Sequence, residues 1–298
     1  MPTETQVLAF DVYGTLLDTS AMSTEISRLH PEVSKAIADK LCIAWRRHQL
    51  EYTLRLNSMG IYEPFDTVTE RALLHAIAEY GDQYLENDVD RLMDAYNELQ
   101  PYAGETDTPR LDIDAVHRFY GVQSALEAIS EIPNVKIVVF SNGTRKPQMI
   151  SSALQAANLM EHVDEVFIVD AVRMYKPAKQ VYEGLVDYIN RDNDQLAGIS
   201  ASPDRIWLVS GNPFDVTGAR NAGLNAIWVN RSFSQGWIDH AVDLKPSRVV
   251  HDIGGGREGA QGTALRQRGG KVGSAIRSAL SDLTTNLRPS EWKENCVQ

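Results

Sequence analysis

Six short apolar runs, most of them separated by stretches of helical periodicity, restrict the fold of this 298-residue chain more than any other feature. The runs are "VLAF" (7–10), "KIVVFS" (136–141), "EVFIVD" (165–170), "RIWLVS" (205–210), "AIWVN" (226–230) and "RVVHD" (248–252). They are rich in Val, Ile, Phe and Trp and are bounded by turn residues, the signature of buried strands. Between them, "VQSALEAISEI" (122–132), "PQMISSALQAANLM" (147–160) and "KQVYEGLVDYIN" (179–190) carry apolar residues three and four apart. Strand, helix and strand repeated in this way call for a parallel sheet covered on both faces.

Residues 18–102 break the alternation. "PEVSKAIADKLCIAWRRHQLEYTLRL" sets Val33, Ile37, Leu41 and Trp45 four apart, a helical stripe, and "TVTERALLHAIAEYG" and "VDRLMDAYNEL" read as further helices. This block is expected to form a helical subdomain inserted between the first and second strands. Stretch 103–118, polar with Pro and Gly, reads as a linker back to the sheet. The glycine-rich, basic segment "GGGREGAQGTALRQRGGKVG" (254–273) matches no spaced phosphate-binding fingerprint and reads as a loop.

With 29 basic against 40 acidic residues, the formal charge of −11 argues against nucleic acid or an anionic membrane surface as a partner. A small anionic substrate remains compatible, because a site can be locally positive. Cys42 and Cys296 are too few for a disulfide framework or a cysteine-rich metal cluster. The opening "MPTETQVLAF" has no basic segment leading into an apolar one, and no run reaches about 18 apolar residues. A cytoplasmic protein is expected.

Open α/β sheets bind ligands beyond the carboxyl ends of their strands. The first candidate strand ends in Asp11-Val12-Tyr13-Gly14-Thr15, the second in Ser141-Asn142-Gly143, and the fourth in Ser210-Gly211-Asn212-Pro213-Phe214-Asp215. After the third comes "MYKPAKQVY", with Lys176 and Tyr182. Each residue alone has a plain explanation as a turn residue or a helix cap. A buried carboxylate is nevertheless costly unless paired or used, and one sheet edge would gather two of them with a lysine.

These stretches, "FDVYGTL", "WRRHQLEYT", "FSNG", "YKPAKQVY" and "SGNPFDVTGA", occur in the order found in the haloacid dehalogenase superfamily. The tyrosine two after the first acid, the "SNG" triplet and "WR…QLEYT" resemble its type II 2-haloacid dehalogenase branch more closely. The resemblance implies a Rossmann-like α/β core from residues 1–17 and 103–298, and a helical cap formed by 18–102. Residues 254–298 would add a glycine-rich loop and a C-terminal extension.

The resemblance also implies roles. Asp11 would attack C2 of a short 2-haloalkanoic acid, expel halide and form an ester, which water then cleaves to a 2-hydroxy acid of inverted configuration. Arg46 would receive the halide, although on the residues alone "WRR" reads as a solvated basic face. Ser141 and Lys176 would hold the substrate carboxylate, with Lys176 also keeping Asp11 ionised. Thr15, Asn142, Tyr182, Ser210 and Asn212 would support the site, and Asp215 would orient Lys176 or the water. Tyr13, Leu50, Phe65 and Phe214 would enclose the alkyl group. No cofactor and no metal are implied. Relatives of this type are often dimers, which allows a homodimer here.

Phosphatases of the same superfamily resemble this chain but carry a second aspartate where Tyr13 stands, and a metal-binding acid where Gly211 stands. General acid catalysis contributes about 10²–10⁴-fold, so both differences favour the dehalogenase over a Mg²⁺-dependent phosphatase. A catalytically idle binding protein on the same scaffold is the third reading, disfavoured by retention of Asp11 and Lys176. Arg47 stands where the dehalogenases carry a neutral amide, and Phe214 where they often carry tryptophan. The additional cation at 47 either adds to the substrate-binding group or points outward.

Overall fold

The computed structural model describes residues 5–80, 83–102, 121–143, 147–191, 201–232, 236–251 and 253. In it the apolar runs become β1 (Gln6–Phe10), β2 (Val135–Ser141), β3 (Glu165–Ile168), β4 (Ile206–Ser210), β5 (Asn225–Val229) and β6 (Arg248–Val250). They form one sheet in the order β3-β2-β1-β4-β5-β6, with every pairing parallel. Val7, Leu8, Ala9 and Phe10 of β1 and every residue of β4 are buried, while β6 at the edge is exposed at two of its three residues. Central strands covered on both faces have no solvent face, which is why they read as unbroken apolar runs rather than alternating ones.

Four helices cross between these strands: α5 (Val122–Ser130), α6 (Pro147–Ala156), α7 (Lys179–Ile189) and α8 (Pro213–Asn221). Helix α8 starts on Pro213, whose missing N–H costs nothing in a first turn. From β1 the chain runs outward to β2 and β3 on one side, then returns to build β4, β5 and β6 on the other. That reversal opens a crevice between the carboxyl ends of β1 and β4, the usual ligand position in such a sheet.

Between β1 and β2 lie α1 (Met22–Leu29), α2 (Lys35–Met59), α3 (Phe65–Tyr80) and α4 (Val89–Asn97). Helix α2 is capped by the Ser34 side chain, which accepts the N–H of Ile37, and ends on Gly60 in the left-handed region at φ 66°. Its 25 residues pack along α3.

The four-apart stripe on α2 does not hold throughout. Leu41 and Trp45 are buried, but Val33 precedes the helix and Ile37 is 42% exposed. Four residues advance about 400° around a helix of 3.6 residues per turn, so a strict four-residue stripe drifts off one face within three steps. The buried face runs instead through Ala38, Leu41, Cys42, Trp45, His48, Gln49 and Thr53. Near the other end, Asn57 clasps the backbone of Tyr175: its Nδ2 donates to the carbonyl at 2.7 Å and its Oδ1 accepts the N–H at 2.9 Å. The helix is thereby tied to the loop that carries Lys176.

Segments 103–118 and 254–298, with Cys296, lie outside the described residues. Cys42 is a buried free thiol, its pKa pushed up to about 11 by desolvation. No described helix is long and apolar enough to cross a membrane.

Candidate active site

Asp11 follows β1 directly, and its N–H extends the strand pairing by donating to Val209 O at 3.0 Å. The chain then folds back tightly. Leu16 and Leu17 N–H groups both reach Val12 O, at 2.8 and 2.9 Å, and Gly14 sits at φ 80°, a conformation an L side chain disfavours. This turn returns Thr15 over the carboxylate. Thr15 Oγ1 donates to Asp11 Oδ2 at 2.7 Å, Asn212 Nδ2 donates to the same oxygen at 2.7 Å, and Ser210 Oγ stands 3.4 Å from it. Oδ1 receives Lys176 Nζ at 3.1 Å. The two oxygens are therefore unequal: Oδ2 is surrounded by donors, and Oδ1 keeps lone-pair capacity.

Lys176 is 1% exposed and spends its three N–H bonds within the site. They go to Asp11 Oδ1, to Phe140 O at 2.8 Å and to Asp215 Oδ2 at 2.9 Å. The ammonium also lies 3.9 Å from the centre of the Phe140 ring. With all three donors engaged, Lys176 has none left for a substrate carboxylate in this arrangement, in contrast to the expectation from sequence. Asp215 is wholly buried on α8; burial first, then the charge of Asp11, raises its pKa, against the pull of Lys176. Tyr182 Oη donates to Asp215 Oδ1 at 2.7 Å, so this tyrosine supports the second carboxylate from below rather than touching Asp11. Burial followed by the Asp215 charge keeps its phenol protonated well beyond the usual range.

At the end of β2, Ser141 Oγ accepts the N–H of Gly143 at 3.1 Å, and Asn142 Oδ1 accepts the N–H of Lys176 at 3.0 Å. Both residues are buried, which brings the β2 edge against the lysine loop.

From α2, Arg46 reaches across to the same crevice. Its Nη2 donates to Tyr13 O at 3.2 Å and lies 3.4 Å from Asn212 Oδ1, one residue removed from Asp11. Its Nη1 donates to Gln49 Oε1 at 2.5 Å. Gln49 is itself buried and donates to Thr69 Oγ1 at 2.6 Å and Tyr96 Oη at 3.2 Å. Trp45 Nε1 donates to Thr69 O at 2.8 Å. Gln49 and Tyr96 are site residues that sequence reasoning did not single out. The three-residue spacing of Arg46 and Gln49 is a readable signal, since such pairs share a helix face. Tyr96 has no such signal.

The aromatic residues gather beside this brace. Tyr13 stacks on Phe65 with centroids 5.6 Å apart and lies 5.2 Å from Tyr96. Burial raises the Tyr13 phenol pKa. Leu50 and Phe214 are half-buried on α2 and α8. A cavity of about 10 Å³, room for one water, lies among Thr19, Cys42, Trp45, Arg46, Gln49 and Tyr96. Arg47 stands apart from the group. It turns outward, 46% exposed, and its Nη2 meets Glu79 Oε2 at 2.8 Å. Adjacent residues on a helix point about 100° apart, so Arg46 and Arg47 do not serve the same pocket.

Position 211 bears on metal chemistry. A Cβ built on Gly211 would lie 2.4 Å from Gly14 O, so an acidic side chain does not fit there without moving the backbone. Across the crevice, Arg231 Nη2 donates to Thr15 O at 2.8 Å and secures the far side of the Asp11 turn, another contact without a sequence signal.

The profile of the haloacid dehalogenase-like hydrolases matches residues 5–223. (S)-2-haloacid dehalogenase 1 of Pseudomonas sp. (strain CBS-3) is 32% identical over 222 residues, spanning 74% of this chain and 83% of that protein. The (S)-2-haloacid dehalogenase of Xanthobacter autotrophicus is 29% identical over 226 residues, spanning 76% of this chain and 75% of its own. Among solved structures, a dehalogenase with an intermediate complex superposes with a TM-score of 0.67 at 27% identity, covering 85% of this chain and 96% of the other. With the sheet order, the Asp11–Lys176–Asp215 array and these matches together, the chain belongs to the haloacid dehalogenase-like hydrolases, on their (S)-2-haloacid dehalogenase branch.

Proposed function

We propose that the protein is a hydrolase of carbon–halogen bonds that converts short (S)-2-haloalkanoic acids to 2-hydroxy acids of inverted configuration, through an ester on Asp11. The single observation that carries this reading is the unequal hydrogen bonding of the Asp11 oxygens, with three donors on Oδ2 and the lysine on Oδ1.

Oδ1 attacks C2 of the substrate in line with the departing halide, and the C–halogen electron pair leaves with the halide. Charge that develops on the halogen only in the transition state is stabilised by Arg46, held in advance by Gln49 and Tyr13 O. Ser141 and Asn142 receive the substrate carboxylate, while Tyr13, Phe65, Leu50 and Phe214 enclose the alkyl group. Oδ2 becomes the carbonyl oxygen of the ester. When water adds to the carbonyl carbon, the negative charge on Oδ2 meets donors already aimed at it from Thr15, Asn212 and Ser210. Collapse breaks the bond between the carbonyl carbon and Oδ1. One proton of the water goes to the departing oxygen to give the 2-hydroxy acid, the other is lost to solvent, and the carboxylate is restored with the water oxygen in it.

Residues 18–102 act as a cap over the parallel sheet and its crossover helices. In this reading the helices part from the sheet edge to admit substrate and close again to exclude water. No metal is needed: halide departs without a proton, Tyr13 stands where a leaving-group acid would be, and Lys176 fills the space between the two carboxylates. A cytoplasmic location and a homodimer accord with this reading.

The test is halide release from 2-chloropropionate in excess EDTA. Release of chloride with formation of lactate is the expected result. Silence there, with Mg²⁺-dependent hydrolysis of an aryl phosphate, would contradict it.

A further inference from the structure

A second group of side chains lies on the outer flank of the helices, where the reaction has no use for it. His48 projects from α2, and His75 and Glu79 lie one turn apart on α3. One atom from each, of a type that ligates metals, lies within 4.8 Å of the other two. His48 Nε2 is 3.2 Å from Glu79 Oε2, and His75 Nε2 is 3.7 Å from Glu79 Oε1. Both imidazoles therefore turn the same nitrogen towards one carboxylate.

The opposite nitrogens face oxygen atoms. His75 Nδ1 is 2.8 Å from Tyr52 Oη, and His48 Nδ1 faces Glu51 Oε2 at 3.6 Å, too far for a hydrogen bond. His48 is 4% exposed, and its Nδ1 is a buried polar atom without a hydrogen-bond partner. Metal-bound histidines characteristically present the second ring nitrogen to an oxygen in this way, which orients the ring and raises its basicity. The two rings are stacked with centroids 3.7 Å apart and planes 11° from parallel.

We propose that His48, His75 and Glu79 form a Zn²⁺ site that staples α2 to α3. Two imidazoles and one carboxylate are the ligand set of an open tetrahedral zinc site, with water in the fourth position. At metal–ligand bonds of about 2.0–2.2 Å a tetrahedral site sets its donor atoms about 3.3–3.6 Å apart, so the two His–Glu79 distances already fit closely, and a cluster spread over as much as 4.8 Å closes by up to about an ångström as the rings unstack. Arg47 now places a positive charge at this point, with Nη2 2.8 Å from Glu79 Oε2 and 3.3 Å from His48 Nε2. Its side chain is 46% exposed and its Nε already lies 3.8 Å from Glu51, so the guanidinium has a second carboxylate to move to when the metal enters. The staple joins the helix that carries Arg46 to the helix that carries Phe65.

The test uses the full chain without an affinity tag, stripped with chelator, dialysed and titrated with ZnCl₂ by calorimetry. One zinc per chain is expected, with a higher melting temperature in the loaded protein. His75→Ala and Glu79→Gln should each weaken binding at least about tenfold, and Tyr52→Phe, which keeps all three ligands, by about 10–100-fold. Arg47→Gln should tighten it, because no competing cation has to leave. Metal-free melting curves show that each variant is folded. No stoichiometric binding by the unaltered chain, or equal binding by it, His75→Ala and Glu79→Gln, overturns the proposal. The outcome is independent of halide release.

Discussion

Lys176 Nζ stands between Asp11 Oδ1 and Asp215 Oδ2, 3.1 and 2.9 Å away, in a space almost closed to solvent. One ammonium thus compensates two buried carboxylates. Replacing it by an apolar side chain of similar length leaves both acids unpaired, and removing one partner of a buried ion pair costs about 3–5 kcal/mol. Lys176→Met is expected to lower stability by that order in denaturant titration and to abolish halide release. A variant as stable as the parent would show that the pairing is not what holds this edge together.

Arg46 has no acidic partner among the contacts that hold it; it is positioned by an amide, a carbonyl and Asn212. A guanidinium held in place with no carboxylate on it among the described residues is available to an outgoing anion. Arg46→Ala should cost about 2.7–4 kcal/mol of transition-state stabilisation, a loss of about 10²–10³-fold in kcat. Gln49→Leu keeps the cation but removes its brace, and a hydrogen bond to a charged group is worth about 1.5–3 kcal/mol. Its kcat should fall about 10–100-fold with the fold intact, as followed by chloride release and circular dichroism.

Gly211 sits where the Asp11 turn leaves no room for a side chain. A Cβ there would strike Gly14 O at 2.4 Å, in the turn that sets Thr15 over Asp11. Gly211→Asp should destabilise the protein by about 1–3 kcal/mol, the usual cost of overpacking, and should depress halide release without creating Mg²⁺-dependent phosphatase activity. Gain of that activity would show that the turn adapts and that the site is closer to a phosphatase than proposed.

Burial raises the pKa of Asp215 above the ordinary aspartate value. The acid limb of kcat for halide release should therefore have its midpoint above about 3.9. Tyr182 donates to this carboxylate and favours its ionised form, so Tyr182→Phe should move the limb to higher pH. For stability the sign is opposite to that of a salt-bridged acid with a lowered value. The Asp215 contribution favours the fold fully below the unfolded pKa and is lost as pH rises through the folded one. A limb that Tyr182→Phe leaves in place would assign it to another group.

Much of this architecture is readable from local pattern. Strands such as β1 and β4 announce themselves because burial on both faces demands unbroken apolar runs, and the rule that ligands sit at carboxyl ends places Asp11, Ser210 and Asp215 near one another. The misreadings have definite causes. Segment 165–170 reads as a strand-like run, but β3 stops at Ile168 and Val169 begins a short 3-10 turn, because apolar character alone does not mark a strand end. The Arg46–Arg47 pair looks alike in sequence, yet the helix sends one to the crevice and the other to Glu79. The brace of Gln49 on Thr69 and Tyr96 spans 20 and 47 residues, so it exists only once α2, α3 and α4 have packed. The saturation of Lys176 likewise depends on Phe140 O and Asp215, contributed by separate parts of the chain.

The central claim is that a side-chain oxygen of Asp11, not water, makes the first bond to C2 of the substrate. A single turnover with enzyme in excess over 2-chloropropionate in ¹⁸O-water, read by mass spectrometry of the Asp11 peptide and of the lactate, tests it directly. The account predicts ¹⁸O in the Asp11 carboxylate and none in the hydroxyl of the first lactate released. Label in the lactate with Asp11 unlabelled would contradict it.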